Sequence, residues 1–258
     1  HQGRTTPCTE ALIEAQVARV IVGLTDPDDN VNGQGIADLR KAGIEVIEGV
    51  LEGRVAEQLA PYLHHRRTGK PWVVLKMALT LDGRSSAADG SSQWITGEAA
   101  RTDAHLLRAR CDGILVGAQT VRSDNPSLTV RHVTGKDPIR IVLGIAPPDA
   151  AVHPCWEVDG DFEKVLQLLG ERGIVDLLVE GGANVASNVH RAGLVNEYVF
   201  YLAPALMGGD DGRPLFTGAG APTIGDLRRG TITSARMVGE DVRIDLRMTT
   251  PNTSTEGI

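Results

Sequence analysis

Short apolar runs, each closed by a turn and followed by a helix-patterned stretch, constrain this chain more than any other feature. The runs are RVIVGL (19–24), WVVLKMALT (72–80), GILVG (113–117), IRIVLG (139–144), IVDLLV (174–179) and EYVFYL (197–202). Strands that face helices on both sides read this way, as near-continuous apolar segments without polar alternation. Helical spacing falls between them, at 9–16, 35–42, 55–63, 97–111, 162–172 and 183–192. Strands alternating with helices imply a largely parallel sheet covered by helices. Two further strands, 231–238 and 241–248, are separated only by Gly239-Glu240, which predicts an antiparallel hairpin. The fold class is therefore α/β with a mixed, mostly parallel sheet. Between Gly144 and Asp161 no additional strand is evident, so a strand there is read as shortened or missing. The segment His64-His65-Arg66-Arg67-Thr68-Gly69-Lys70-Pro71 is polar and basic and reads as a boundary between units 1–68 and 69–258. The Thr-rich stretch from Thr249 onward reads as a frayed tail.

Composition narrows the function classes. Lys plus Arg number 26 against 33 Asp plus Glu, a net charge of −7, and aromatics are 3%. An acidic chain with few stacking rings is a poor general binder of nucleic acid. No stretch reaches the ~18 apolar residues that a membrane span needs. Three scattered cysteines, Cys8, Cys111 and Cys155, make no disulfide framework and suit a reducing cytoplasm. The chain starts at His1 without a leader pattern and already inside a motif-like stretch, so its amino terminus is read as cut.

Five segments could carry chemistry. Leu178-Val179-Glu180-Gly181-Gly182-Ala183-Asn184 places an acid at a strand end, then two glycines, then a helix start. Glycines admit a ligand close to the backbone and a fresh helix offers N–H groups to a phosphate. The competing reading is an ordinary βα turn with a solvated Glu180. Lys76 interrupts an apolar strand, which is expensive unless the charge is used or the strand lies at an edge where the side chain reaches water. Gly90-Ser91-Ser92-Gln93-Trp94-Ile95-Thr96-Gly97 gathers hydroxyls and amides around one Trp, with Thr96 as a helix N-cap; its bland alternative is a capped loop with a packing Trp. Thr120, Asp124, Asn125, Leu128 and Arg131 follow the strand 113–117, where open α/β sheets bind ligands, although Ser123-Asp124-Asn125-Pro126 is also a plain turn signal. Cys8 alone is weak evidence for zinc, since such a site needs three or four ligands and no CxxC or HxxxH pair is present.

Together these blocks resemble the bifunctional deaminase/reductase family of riboflavin biosynthesis. The resemblance rests on LKMALTLDGR (75–84), SSQWITG (91–97), LLRAR (106–110), DGILVGAQTVRSDNPSLTVR (112–131), LLVEGGANVA (177–186) and YLAPALMGGDDGRPLF (201–216). It implies a dihydrofolate-reductase-like domain over 69–258. That domain would use NADPH to reduce 5-amino-6-(5-phosphoribosylamino)uracil, a small phosphorylated pyrimidine, to its ribitylamino counterpart. Ala78, Trp94, Thr120, Asp124 and the loop Gly182, Ala183, Asn184, Val185, Ala186, Ser187, Asn188 match cofactor-contacting positions. Ser92, Arg108, Leu128, Arg131 and Glu180 match substrate-contacting ones. Lys76, Asp124 and Glu180 are the residues implied for alignment and proton handling. Arg108 and Arg131 would pair with the ribose phosphate.

Residues 1–68 resemble the end of the family's cytidine-deaminase-like zinc domain, with HQGRTTPC as the tail of its metal motif. Cys8 would be one remaining zinc ligand of three, and His1 and Arg4 match positions that contact the deaminase substrate. Zinc and deamination are thus implied only for a full-length chain. The family also implies a homo-oligomer. Two alternatives stay open: a reductase of the same fold acting on another pterin or pyrimidine, and a non-catalytic nucleotide-binding remnant.

Overall fold

The computed structural model describes residues 7–28, 31 and 33–249. His1 and Arg4 lie outside the described residues, as do 29–30 of the first acidic turn and the tail from 250. The chain forms two compact units, His1–Lys70 and Pro71–Ile258.

The first unit contains α1 (Cys8–Glu14), β1 (Arg19–Val22), α2 (Gln34–Lys41), β2 (Glu45–Glu48), α3 (Glu52–Gln58) and α4 (Ala60–Thr68). β1 and β2 pair in parallel, Arg19 opposite Glu45. The expectation that 19–24 is buried on both faces fails here. β1 has no buried residue and Ile21 is 62% exposed. A two-stranded sheet has too little packed against it to cover an apolar run, so the run specifies a strand without specifying its burial. The two units divide within the polar segment 64–71, but most of that segment is helix. α4 carries His64 through Thr68 and closes on Gly69, which adopts φ 71. Its Leu63 and His65 are buried, so basic residues there decorate a helix.

The second unit runs β3 (Trp72–Thr80), β4 (Arg84–Ser86), α5 (Glu98–Arg110), β5 (Gly113–Gly117), α6 (Ala118–Asp124), β6 (Ile139–Leu143), β7 (Trp156–Val158), α7 (Phe162–Glu171), β8 (Asp176–Val179), α8 (Ala183–Ala192), β9 (Glu197–Ala203), β10 (Arg213–Pro214), β11 (Gly230–Val238) and β12 (Asp241–Met248). Eight strands form one sheet in the order β11-β12-β9-β3-β8-β5-β6-β7. β12 pairs antiparallel with β11 and β9, while β9-β3-β8-β5-β6-β7 are parallel throughout. The hairpin at Gly239-Glu240 closes as the sequence predicts, with Val238 opposite Asp241. β4 and β10 form a separate small antiparallel pair. β7 fills the place where a strand is read as missing. It has three residues at the sheet's end, too short to leave a periodic signal.

Alternate residues of the central strands fill two cores. Val73, Leu75, Leu115, Leu177 and Val179 pack with Phe162, Val165, Leu169, Ala186 and Val189 of α7 and α8. Val74, Ile114, Val116, Leu178 and Tyr201 pack with Ala100, Ala104, Leu107 of α5 and Val121 of α6. Burying one such side chain stabilises by about 1.5–3 kcal/mol. α7 begins with a side-chain cap, Asp161 accepting the Lys164 N–H at 3.0 Å. α5 does not begin as the sequence suggests. Its N-cap is Gly97, Thr96 is buried, and the Gly97 N–H donates to Asp241 Oδ2 at 2.8 Å. No side chain caps the first turn of α5, and the β12 carboxylate anchors only the residue that precedes it.

Asp176 opens β8 and is buried, and one of its carboxylate oxygens, Oδ1, has no hydrogen-bond partner. Burial pushes its pKa up to about 6 from 3.8, against the pull of the Arg110 charge. Below the unfolded value the carboxyl is protonated in both states and costs nothing. Between about 3.8 and about 6 the unfolded chain ionises while the folded one stays protonated, so stability falls across that window, by about 3 kcal/mol at most, and is level above it. Asp176→Asn is expected to raise the urea midpoint at neutral pH. The gain should vanish near pH 3.5, which paired denaturation curves would check.

Candidate active site

The register of the central strands assembles the site. β3 and β8 pair up to Leu75 opposite Val179. One residue further stand Lys76, still in β3 opposite Val199 of β9, and Glu180, just past the end of β8, and both face the α5 side because side chains alternate. The Glu180 N–H still donates to the Leu115 carbonyl at 3.0 Å, so the acid is held by the ladder of β5 as it leaves β8. β3 lies in the middle of the sheet, which removes the edge-strand explanation of Lys76. Its Nζ sits 5.6 Å from the centre of the Tyr201 ring.

α5 brings a guanidinium to the acid. Arg108 Nε and Nη2 donate to Glu180 Oε1 and Oε2 at 2.9 and 2.8 Å, and Nη1 donates to the Thr129 carbonyl at 3.3 Å. The two side chains are only 14% and 11% exposed. Burial pushes the Glu180 carboxyl up, but Arg108 and then Lys76 outweigh it and hold the pKa at about 2. Glu180 is therefore an ionised acceptor at any working pH. The solvated-turn alternative for Glu180 does not hold.

The segment after α6 wraps the same group. Asn125 and Leu128 adopt positive φ, 42 and 55, and Leu128 is buried. A Leu in the left-handed region stores strain that surrounding contacts must hold. Those contacts are here: Arg131 Nη1 donates to Ser127 Oγ at 2.6 Å and the Arg131 N–H donates to His105 Nδ1 at 3.2 Å. His105, buried on α5, is drawn down to about 4 by burial and by Arg108, His132 and Arg131. It stays neutral and can serve as an acceptor. Sequence reasoning missed it, although its place three residues before Arg108 puts both on one helix face.

The turns after β5 and β8 abut. The Gly182 N–H donates to Thr120 Oγ1 at 3.3 Å. A Cβ at Gly181 would fall 2.6 Å from Val185 Cβ, and one at Gly117 would fall 2.9 Å from Val185 Cγ2. Glycine at 181 makes room for Val185 of the helix that follows it, and glycine at 117 lets that helix pack against the end of β5, so the two turns meet over a backbone-lined floor. Within the loop read as cofactor-contacting, Gly182, Asn184 and Asn188 are exposed, Val185 is half-buried, and Ala183, Ala186 and Ser187 are buried. The Ser187 hydroxyl is committed, accepting the Thr217 N–H at 2.8 Å and donating to the Ala183 carbonyl.

Ala78 is half-buried, two residues beyond Lys76 on its face of β3. Ser92 is exposed, and Trp94 is 69% exposed, so the packing-Trp alternative fails. The Arg101 guanidinium lies 4.8 Å above the Trp94 ring. Asp124 is exposed at the end of α6, and among the described residues no hydrogen bond or ion pair joins it to the Arg108–Glu180 pair. Cys8 is exposed, and among the described residues no group of three His, Cys, Asp or Glu could hold a metal. No described helix is long and apolar enough to cross a membrane.

A family model for the RibD C-terminal domain matches residues 71–244. The riboflavin biosynthesis protein RibD of Mycobacterium tuberculosis is 41% identical over 263 residues, spanning 95% of this chain and 75% of that protein. RibD of Acinetobacter baumannii superposes with a TM-score of 0.89 at 33% identity, covering 97% of this chain and 78% of that one. A Thermotoga maritima structure superposes at 0.84 with 30% identity, over 96% and 76% of the two chains. It is described as a diaminohydroxyphosphoribosylaminopyrimidine deaminase/5-amino-6-(5-phosphoribosylamino)uracil reductase.

Proposed function

This chain belongs to the RibD family, and from that premise we propose that residues 71–258 reduce 5-amino-6-(5-phosphoribosylamino)uracil to its ribitylamino product with NADPH. The observation that carries the reading is the buried Arg108–Glu180 pair at the carboxyl end of β8, beside Lys76 of the neighbouring strand β3. Open α/β sheets bind their ligands at that edge. The cofactor supplies a hydride to C1′ of the sugar. The C1′–O4′ bond breaks and O4′ takes up a proton, so one C–H and one O–H bond replace one C–O bond.

The chain's residues do the remaining work. The glycine floor at Gly181-Gly182, closed by Thr120, admits a dinucleotide backbone, and the half-buried Ala78 leaves room beside Lys76 for a flat ring. Glu180 is ionised, so it accepts hydrogen bonds from sugar hydroxyls and is not the proton donor. Lys76 carries donors to the same place and is the residue we assign to the leaving ring oxygen. Arg108 has its fork filled by Glu180, so its role is to aim the carboxylate. Arg131 is exposed, bound to Ser127 by one nitrogen, and is the arginine left to meet the phosphate. Asp124, at the end of α6, borders the cofactor side through Thr120 on the same helix. Positioning of this kind is the protein's main contribution where the cofactor carries the chemistry. For residues 1–70 the described chain presents no zinc-binding group, and no step is assigned to it.

The test is absorbance loss from NADPH with the phosphoribosylamino substrate generated in the cuvette. Turnover is expected. Lys76→Met should lower kcat about a hundredfold with a small change in the NADPH KM. A chain that binds NADPH without oxidising it on this substrate, while reducing another pyrimidine, would overturn the assignment.

A further inference from the structure

A cleft of about 640 Å³ opens beyond the carboxyl ends of β5, β6 and β7, away from Glu180. Its charged and amide side chains are Gln119, Arg122, Glu157 and Asp159, with Gly144 and Ile145 after β6. From β3 to β6 is three strand spacings, about 14 Å. If a nicotinamide lies beside Lys76 and the diphosphate crosses the Gly181–Thr120 floor, this cleft is where the far ribose and adenine arrive. The inference therefore rests on the reductase reading given above.

An extra 2′-phosphate on that ribose brings about −1.5 to −2 charges at neutral pH. Glu157 and Asp159 would repel it, and they are held as acceptors of backbone donors. Glu157 Oε1 takes the Ala146 N–H and Asp159 Oδ1 the Gly160 N–H, each at 2.8 Å. The turn after β6 offers no polar side chain, since Gly144 and a 76% exposed Ile145 stand there. Among the described residues Arg122 is the one cation lining the cleft. It is exposed, and its Nε and Nη2 reach Gln119 Oε1 only at 3.3 Å, a long contact to a neutral amide. A phosphate would replace that contact with two charge-assisted hydrogen bonds in the geometry the fork prefers.

We infer that Arg122 is the residue by which this chain selects a 2′-phosphorylated nicotinamide dinucleotide, working against Glu157 and Asp159 on the opposite wall. Without Arg122 the wall is acidic, and acidic side chains favour a free ribose hydroxyl.

Calorimetric titration of the chain with NADPH, NADH, 2′,5′-ADP and 5′-AMP tests this without any hydride transfer. Arg122→Gln is expected to weaken NADPH and 2′,5′-ADP about thirtyfold and to leave NADH and 5′-AMP within about twofold. Arg122→Lys should fall between, because an ammonium keeps the charge and loses the fork. Asp159→Asn should tighten NADPH about threefold and not NADH. Arg122 and Asp159 are both exposed, so these variants are expected to fold like the parent. Equal losses for NADPH and NADH in Arg122→Gln, or a parent chain that binds the two alike, would overturn the inference while leaving the reductase reading intact. A parent chain that binds neither dinucleotide removes both.

Discussion

Glu180→Gln is expected to lower kcat/KM for the phosphoribosylamino substrate at least a hundredfold. The amide is nearly isosteric, so the sugar pocket keeps its shape, but the ionised acceptor is gone. Arg108 then keeps its charge in a buried place with the Thr129 carbonyl at 3.3 Å, one neutral amide oxygen and no anion. Truncating one partner of a buried pair is costly because the other charge remains, by about 3–5 kcal/mol when burial is complete. Here both side chains retain slight exposure, so about 2–3 kcal/mol is the expected loss of stability. Activity loss could then follow from misfolding, and a second variant separates the two. Arg108→Gln with Glu180→Gln removes both charges and should recover much of the stability without recovering turnover. If the double variant regains turnover with stability, Glu180 only holds α5 in place. The parent should also lose stability as acid protonates Glu180. The folded pKa of about 2 lies below the ordinary 4.5, so the pair's contribution is full above about pH 5 and fades towards pH 2.

What was legible in the sequence was whatever depends on neighbours along the chain. The strands 72–80, 113–117 and 174–179 announce themselves because burial on both faces demands unbroken apolar runs, and each is found. Glu180 and Lys76 stand out because a charge beside such a run is anomalous. Burial itself was not legible. RVIVGL has the same composition as the central strands, yet β1 is uncovered, since burial depends on what packs from elsewhere. α4 was partly hidden because its outer face is His, Arg and Thr and only Leu63 and His65 turn inward. β7 was hidden by length. The pairing of Arg108 with Glu180 joins residues 72 apart and follows from sheet order, which local pattern does not encode. The same holds for His105, whose acceptor role appears only when the Arg131 segment folds back on α5.

The largest stability loss is expected from Arg243→Met, far from the cofactor floor in sequence and on the antiparallel side of the sheet. Asp103 of α5 accepts from Tyr201 Oη at 2.6 Å, from Arg243 Nη1 at 2.6 Å and from Arg236 Nη2 at 2.7 Å. Arg243 Nε also donates to Asp245 Oδ1 at 2.8 Å. Arg243, Asp103 and Asp245 are all buried. One guanidinium thus bridges two buried carboxylates and ties α5 to β12, with Arg236 supplying the second positive charge. Burial alone would push the Asp103 carboxyl up, yet Tyr201, Arg236 and Arg243 together bring it below its ordinary value. Met fills a similar volume but leaves Asp103 with Arg236 and leaves Asp245 without its cation. The expected cost is about 3–5 kcal/mol. For a chain of this size that lowers the melting temperature by roughly 6–15 °C. Asp103→Asn with Arg243→Met should cost less than the sum of the single changes, because the buried anion left by Arg243→Met is also removed. Since the Asp103 pKa is depressed by folding, the network's contribution is present above the unfolded carboxyl value and lost as pH falls through the lower folded one. The difference between parent and Arg243→Met should therefore shrink in acid. α5 also carries His105 and Arg108, so a loosened helix end would reach the site. A fall in kcat/KM at low temperature, where Arg243→Met is still folded, would show that this network positions Arg108; unchanged kcat/KM would confine its role to stability.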